Sequence, residues 1–103
     1  MTILDEILLE EYNRLERGIN LIHEELASLP KGYISEKKIG NGTYYYLQKR
    51  EGDKIVSKHL KKDELEPYAT LIKHRKTLEQ KTKEMRVEQK KLTAALKKAK
   101  TDE

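Results

Sequence analysis

The spacing of the apolar residues changes twice along this chain, and each change restricts what a segment can fold into. The first segment repeats in alternating steps of four and three residues, at Leu8, Tyr12, Leu15, Ile19, Ile22, Leu26 and Leu29. Such steps align side chains in one narrow stripe along a helix. Pro30 cannot continue a helix, so the pattern predicts a helix over residues 3–29 that packs against a second helix.

The middle segment, residues 31–60, alternates with a period of two and is interrupted by Gly, Asn and Asp. This pattern is typical of a short antiparallel meander with tight turns. The predicted strands are Tyr33–Lys38, Thr43–Lys49 and Lys54–Leu60. The turns are predicted at residues 40–42 and 51–53, and Asn41-Gly42 is expected to supply the positive φ angles that a tight hairpin needs.

Alternation also divides the side chains of the middle strand between two faces. Tyr44 and Tyr46 are expected on one face, and Tyr45 and Leu47 on the other. A sheet of three strands with one packed layer buries a single face, so at least one tyrosine is expected to be exposed. Which face that is stays open at this point.

The last segment returns to a seven-residue repeat, formed by Leu71, Leu78, Met85, Leu92 and Ala99. The positions that would complete the stripe are mostly polar, so this helix offers only half of a packing stripe. We predict a helix over residues 64–100. Asp63 and Glu66 are expected to form a capping box at its start, with Pro67 in the first turn, where proline is tolerated.

These segments together predict one domain of the α+β class, residues 1–103. Its long N- and C-terminal helices form an antiparallel helical hairpin, with a three-stranded antiparallel β-meander between them. Counting outward from the sheet places Leu15 near Leu78 or Glu79, so the second helix outruns the first. The residues left without a partner are Leu92, Leu96 and Ala99. We expect this overhang to self-associate, to dock on another protein, or to fray.

Charge is distributed unevenly over the two helices. Residues 1–30 contain two basic and seven acidic side chains, whereas residues 71–100 contain eleven basic and three acidic ones, within a net charge of +4. Part of this asymmetry is expected to set the antiparallel pairing of the helices. The remainder, expected in the meander and the overhang, indicates a cationic surface for a partner.

The composition argues against catalysis. The chain has 103 residues with no Trp, Phe or Cys, which leaves little material for a layered enzyme core and excludes thiolate sites. The three histidines, His23, His59 and His74, lack the spacing of a metal site. We therefore expect no enzyme activity, no cofactor and no metal. The first residues have neither a basic n-region nor a long apolar run, so a cytoplasmic protein without a membrane partner is expected.

Lysines and tyrosines are interleaved along the meander. Nucleic-acid binding uses cations to contact phosphates and flat rings to stack on bases, so this pattern indicates a nucleic-acid contact. The candidate contact residues are Lys37, Lys38, Tyr44, Tyr45, Tyr46, Lys49, Arg50, Lys54, Lys58 and Arg75. A purely structural origin is the alternative, because tyrosine is favoured in strands and lysine protects sheet edges.

The runs Leu-Pro-Lys-Gly-Tyr-Ile at 29–34, Thr-Tyr-Tyr-Tyr-Leu-Gln at 43–48, Arg-Glu-Gly at 50–52 and Ser-Lys-His-Leu at 57–60 resemble an uncharacterised family of small bacterial and archaeal proteins. The resemblance implies a helix, a tyrosine-rich hairpin and a long charged helix. It also implies an association with phages and transposons, and a hairpin similar to the small sheets with which some integrases contact DNA. The positions that it singles out are Tyr44, Tyr45, Tyr46, Arg50 and Lys58.

Three functions are consistent with these patterns. The leading hypothesis is a non-enzymatic binding module, of phage or mobile-element type, that contacts nucleic acid or a nucleoprotein through the meander. The second is a phage-encoded inhibitor that binds a nucleic-acid enzyme directly, for example an anti-CRISPR protein on a CRISPR nuclease. The third is a structural helical dimer joined through the overhang.

Overall fold

The elements follow the predicted order of helix, three strands and helix. The computed structural model describes residues 1–101, with side chains for residues 1–98. Its elements are α1 (Ile3–Ala27), β1 (Tyr33–Ile39), β2 (Gly42–Glu51), β3 (Lys54–Leu60) and α2 (Lys62–Thr101). The strands form one antiparallel sheet in the order β1-β2-β3. The predicted α+β class is therefore confirmed.

The chain divides into two compact units. We call Met1–Ala27 with Leu78–Glu103 the helical unit, and Ser28–Thr77 the sheet unit. Helix α2 contributes its first part to the sheet unit and its second part to the helical unit. This sharing decides which residues of α2 pack on strands and which pack on α1.

Helix α1 begins with a reciprocal cap. The backbone NH of Asp5 donates to Thr2 Oγ1 and the backbone NH of Thr2 donates to Asp5 Oδ2, both at 3.1 Å. These bonds satisfy donors that the first helical turn leaves free. The helix ends at Ala27 rather than at the predicted residue 29.

The predicted capping box of α2 is wrong. The helix begins at Lys62, so Asp63 and Glu66 lie inside it. The cap lies earlier: the Lys61 NH donates to Glu64 Oε1 at 3.2 Å, and the Glu64 NH donates to the Lys61 carbonyl at 2.9 Å. Pro67 consequently lies beyond the first turn, where it leaves the Asp63 carbonyl without a helical donor.

Both turns of the meander place glycine first. Ile39 pairs with Gly42 and Glu51 pairs with Lys54, so two residues close each hairpin. The positive φ angles of these turns are at Gly40 and Gly52, both 61°, and among the described residues only glycines have a positive φ. A positive φ at the first central residue alone fits a type II′ turn. The expectation that Asn41-Gly42 would supply these angles is therefore wrong, although the turn position is confirmed.

The sheet unit has a core on one side of the sheet only. Its buried residues are Leu47, Leu60 and Ile72, and half-buried Ile34, Tyr45, Leu65 and Tyr68 pack around them. Residues from β1, β2, β3 and the first part of α2 contribute. Burying these side chains is the main stabilisation available to a sheet of this size.

The helical unit packs α1 against the second part of α2 around Leu15 and Ile19, which are buried. Gln89 is only 4% exposed and donates to Glu16 Oε2 at 2.7 Å and to the Tyr12 carbonyl at 3.4 Å. Arg86 Nη1 lies 3.6 Å from the same Glu16 carboxylate. A buried polar side chain bonded to both helices favours one register over its neighbours.

These contacts correct the predicted helix register. Because Glu16 lies against Arg86 and Gln89, Leu15 cannot lie near Leu78 or Glu79. Gly18 supports the new register, since a Cβ added there would lie 2.6 Å from the terminal methyl of Met85. The glycine therefore admits a close neighbour in the helical unit.

Candidate nucleic-acid interface

The face of the sheet opposite the core carries most of the accessible rings. Residues paired across antiparallel strands lie on the same face, and Ser35, Tyr46 and His59 form one such ladder through Ser35–Tyr46 and Tyr46–His59 pairing. We call this side the open face. Its residues are Tyr33, Ser35, Lys37 and Ile39 of β1, Tyr44, Tyr46, Gln48 and Arg50 of β2, and Ile55, Ser57 and His59 of β3.

Three of these rings form a cluster. The Tyr46 and His59 centroids lie 5.5 Å apart with planes at 64°, and the Tyr44 and His59 centroids lie 6.1 Å apart with planes at 50°. Tyr44 is 42% exposed and Tyr46 is half-buried. Lys37 Nζ lies 5.1 Å from the Tyr46 ring centroid, within range of a cation–π contact. The ring cluster, defined as Tyr44, Tyr46 and His59, thus has a cation beside it.

The polar groups of the open face are donors and neutral acceptors. Gln48 Nε2 donates to Ser57 Oγ at 3.1 Å, and Arg50 Nε donates to the Gly52 carbonyl at 3.2 Å. Among the described residues of the three strands, none of the open-face positions is Asp or Glu. A polyanion therefore meets no carboxylate repulsion from the strands on this side.

The opposite face, which we call the inner face, holds the other half of the predicted contact set. Tyr45 packs against the core, and Lys38, Lys49, Lys54 and Lys58 occupy inner-face register positions.

Two of these lysines have carboxylate partners in the sheet unit. Lys49 Nζ lies 3.0 Å from Glu51, and Lys58 Nζ lies 3.8 Å from Glu64.

Lys58 is also held by Tyr68. Lys58 Nζ donates to the Tyr68 hydroxyl at 3.0 Å and lies 5.0 Å from the Tyr68 ring centroid. The hydrogen bond to Tyr68, aided by the Glu64 charge, raises the pKa of Lys58 above its ordinary value. This lysine of β3 therefore stays charged and is oriented by Tyr68 of α2.

Arg75 lies on α2 and outside both faces. Its Nη1 donates to the Leu29 carbonyl at 3.1 Å, and the side chain is half-buried. This bond fixes the connection between α1 and β1 within the sheet unit. Gly32 supports the same connection, because its φ of 113° is the left-handed region and a Cβ there would collide with the Gln48 carbonyl.

The two compact units differ in net charge. The sheet unit contains twelve Lys and Arg against six Asp and Glu, a net of +6, whereas the helical unit contains ten against twelve, a net of −2. Counted over each whole unit, the cationic surplus therefore lies in the sheet unit. The surplus expected near the C-terminal end of α2 stays a prediction.

The predicted self-association residues have a different setting from the one expected. Leu92 lines a groove of the helical unit together with Ile7 and Leu8, so the premise that it has no neighbour on the first helix is wrong. Leu96 is half-buried, and the side chain of Ala99 lies outside the described residues. Their role in self-association stays a prediction.

The structure places Lys37, Tyr44, Tyr46 and Arg50 from the predicted contact set on one face, with the first three near each other and Arg50 at the far end of β2. Sequence reasoning missed the contribution of His59, Gln48 and Ser57 to the same face. The alternation of β3 contained the signal for His59, but only the strand register places it opposite Tyr46.

Two kinds of site are not found in the described part of the chain. Among those residues, no three His, Cys, Asp or Glu side chains are grouped as metal ligands would be. Neither α1 nor α2, as far as it is described, combines the length and apolarity needed to cross a membrane.

Comparison with known families places the chain. The model of a family described as a domain of unknown function, DUF6788, matches residues 12–69. The chain belongs to this family. The DUF6788 stretch begins within α1, ends within α2 and contains all three strands, so it includes the complete open face. The resemblance to an uncharacterised family is thereby confirmed in its coarse form. Searches of curated proteins and of solved structures found no match.

Proposed function

We propose that this protein is a non-enzymatic module that binds nucleic acid, or a nucleoprotein through its nucleic acid, by the open face of the sheet. The observation that carries the proposal is the combination on one exposed face of the ring cluster, Lys37 and Arg50 without a strand carboxylate. Rings give bases a stacking surface, and cations neutralise phosphates. The phage or mobile-element setting is part of this proposal and is supported by the resemblance of the hairpin.

The charge of the sheet unit supports the same proposal. A net of +6 over Ser28–Thr77 attracts a polyanion at long range and raises the rate of encounter. Inner-face lysines contribute to this long-range electrostatic attraction, even where a glutamate partner weakens their attraction for a nearby phosphate.

Fluorescence anisotropy with labelled duplex DNA, single-stranded DNA and structured RNA tests the proposal. Binding should weaken steeply between about 50 and 200 mM salt, because each phosphate contact releases counterions. Lys37→Gln should lower the slope of log K against log salt by roughly 0.7–0.9, the value for one phosphate contact. Lys83→Gln is the matched control, since Lys83 is an exposed lysine of the helical unit. The absence of salt-sensitive binding to all three probes would refute the proposal.

A protein partner is the second candidate, and exposed apolar residues of the helical unit favour it. Ile3, Leu4 and Ile7 are 77%, 63% and 55% exposed. Clustered exposed apolar side chains of this kind mark protein-binding surfaces. Such a partner is a nucleic-acid enzyme, for example a CRISPR nuclease inhibited by this protein. Capture from a nuclease-treated host lysate separates a protein partner from one that is held through nucleic acid. A partner that wild type and the control variant Leu21→Ser retain, but that Ile7→Ser loses, supports a protein partner. Loss of every partner on nuclease treatment counts against it.

A homodimer is the structural alternative, and the predicted self-association residues Leu92, Leu96 and Ala99 are its candidate interface. Sedimentation at several concentrations tests it, and a strict monomer throughout would eliminate it.

A further inference from the structure

The rings of the open face are spaced and tilted differently from the bases of a duplex. Stacked duplex bases are parallel and rise by about 3.4 Å per step. The ring centroids of Tyr46 and His59, and of Tyr44 and His59, are 5.5 and 6.1 Å apart with planes at 64° and 50°. Bases stacked on these rings must therefore be separated and turned relative to each other, which an unpaired strand permits and a duplex does not.

The side chains that could recognise paired bases each donate a hydrogen bond within the sheet unit. Bidentate contacts from Arg or Gln to base edges are the usual means of sequence recognition in a major groove. Gln48 is bonded to Ser57, and the Nε of Arg50 is bonded to the carbonyl of Gly52 in the β2–β3 turn. Arg50 and Tyr44 are also separated by about 20 Å along β2, at ~3.4 Å per residue. The centre of the face thus offers rings rather than free base-edge donors.

A phosphate-binding cation lies directly beside the rings. Lys37 pairs with Tyr44 in the strand register and reaches the Tyr46 ring. An exposed cation–π contact is weak, so the ammonium can move to a phosphate while a base takes its place on the ring.

We propose that the open face binds single-stranded nucleic acid by stacking unpaired bases on the ring cluster, in preference to duplex. This inference rests on the proposed function and narrows its substrate class. Lys37 neutralises the phosphate next to the stacked bases, and the remaining charge of the sheet unit attracts the strand without reading its sequence.

The test compares three labelled probes of about 15 nucleotides, a length within the site sizes of small single-strand binding folds. They are a mixed-sequence single strand, its duplex, and a strand of the same length made of abasic residues. The single strand is expected to bind about 5-fold or more tightly than either of the others, because stacking contributes about that factor or more for each base. The abasic strand keeps the phosphates and so isolates the contribution of the bases.

Variants of Tyr44 test the ring itself. Tyr44→Leu should weaken single-strand binding about 5-fold or more, whereas Tyr44→Phe should retain it, because the stacking surface is kept. Ile55→Ala is the matched control, since Ile55 is an exposed open-face residue outside the ring cluster. Circular dichroism verifies that each variant is folded, and Tyr44 is exposed enough for substitution to leave the core intact.

The outcomes separate this inference from the proposed function. Single-strand preference with loss in Tyr44→Leu and retention in Tyr44→Phe supports both. Equal binding of the three probes, or tighter binding of the duplex, overturns the inference and leaves nucleic-acid binding in place. Failure to bind any probe in a salt-sensitive manner overturns both.

Discussion

Arg75 offers a sharp test of how the sheet unit is held together, because sequence and structure give it different roles. The sequence places it among the nucleic-acid contacts, whereas the structure bonds its Nη1 to the Leu29 carbonyl at 3.1 Å. A hydrogen bond with a charged partner contributes about 1.5–3 kcal/mol. Both residues are half-buried, so water can replace part of the bond, and we expect Arg75→Met to lower the free energy of unfolding by about 1–2 kcal/mol.

Methionine is the informative replacement because it keeps an apolar stem while removing the donors. Urea unfolding followed by circular dichroism measures the loss. In a thermal scan each kcal/mol should lower Tm by about 4–8 °C for a domain of this size. Lys76→Met is the control, since Lys76 is the exposed neighbour on α2 and surface substitutions usually change stability by less than about 0.5 kcal/mol.

Equal urea midpoints for Arg75→Met and Lys76→Met would refute the structural role. A variant of Arg75 that is as stable as wild type, yet binds nucleic acid more weakly, would return Arg75 to the interface. We expect the opposite combination, in which the destabilised protein, assayed while still folded, binds with wild-type affinity.

Three further substitutions test other contacts. Gln89→Leu should destabilise the protein by about 1–3 kcal/mol in urea unfolding, because the Glu16 carboxylate loses a buried donor; an unchanged midpoint would contradict this. Ile72→Ala should cost about 2–5 kcal/mol through the cavity that it leaves in the sheet core, and a smaller loss in the same assay would show that the core collapses around it. Tyr68→Phe should lower the pKa of Lys58 toward its ordinary value in an NMR titration, and no change would show that the hydroxyl bond does not cause the shift. Because the folded pKa is raised, the contribution of Lys58 to stability is present below the unfolded pKa and is lost only as pH rises through the folded one.

Local patterns predicted the elements of this fold well. Alternation placed Tyr45 and Leu47 together and opposite Tyr44 and Tyr46, and the core confirms this division. The bounds of the helices and the conformations of the turns were less predictable, because several local conformations fit the same residues there. Gly40 and Asn41-Gly42 both fit a tight turn, and only the pairing of Ile39 with Gly42 selects the glycine-first form.

The helix register was not predictable from the repeat alone. A seven-residue repeat defines a stripe but not the point along α2 at which that stripe changes its partner from sheet to helix. The predicted stripe position Leu71 is 40% exposed, whereas its neighbour Ile72 packs in the sheet core. Met85 and Gln89 contact α1. Gln89 is one of the polar positions that interrupt the stripe, yet it is buried and bonds to both Glu16 and the Tyr12 carbonyl.

The sequence predicted which residue types the candidate site contains, but not which of them share a face of the sheet. The lysines and tyrosines of the meander were treated as one set, but period-two geometry assigns neighbours in sequence to opposite faces. His59 was considered only as a metal or catalytic residue, since its place beside Tyr46 depends on the pairing of β2 with β3. Cross-strand register is a long-range property that one strand's sequence does not contain.

Face and charge together separate two roles for lysine in the sheet unit. Lys49 and Lys58 lie on the inner face with Glu51 and Glu64 as partners, so a phosphate that approached them would have to displace a carboxylate. Lys37 lies on the open face, and its ammonium contacts the Tyr46 ring. Exchanging this cation–π contact for a phosphate costs little free energy. The slope of log K against log salt counts the phosphate contacts, so it reports which face is used. A slope that falls with Lys37→Gln and not with Lys49→Gln requires the open face. Equal effects of the two substitutions would mean that binding depends on the total charge and not on the rings.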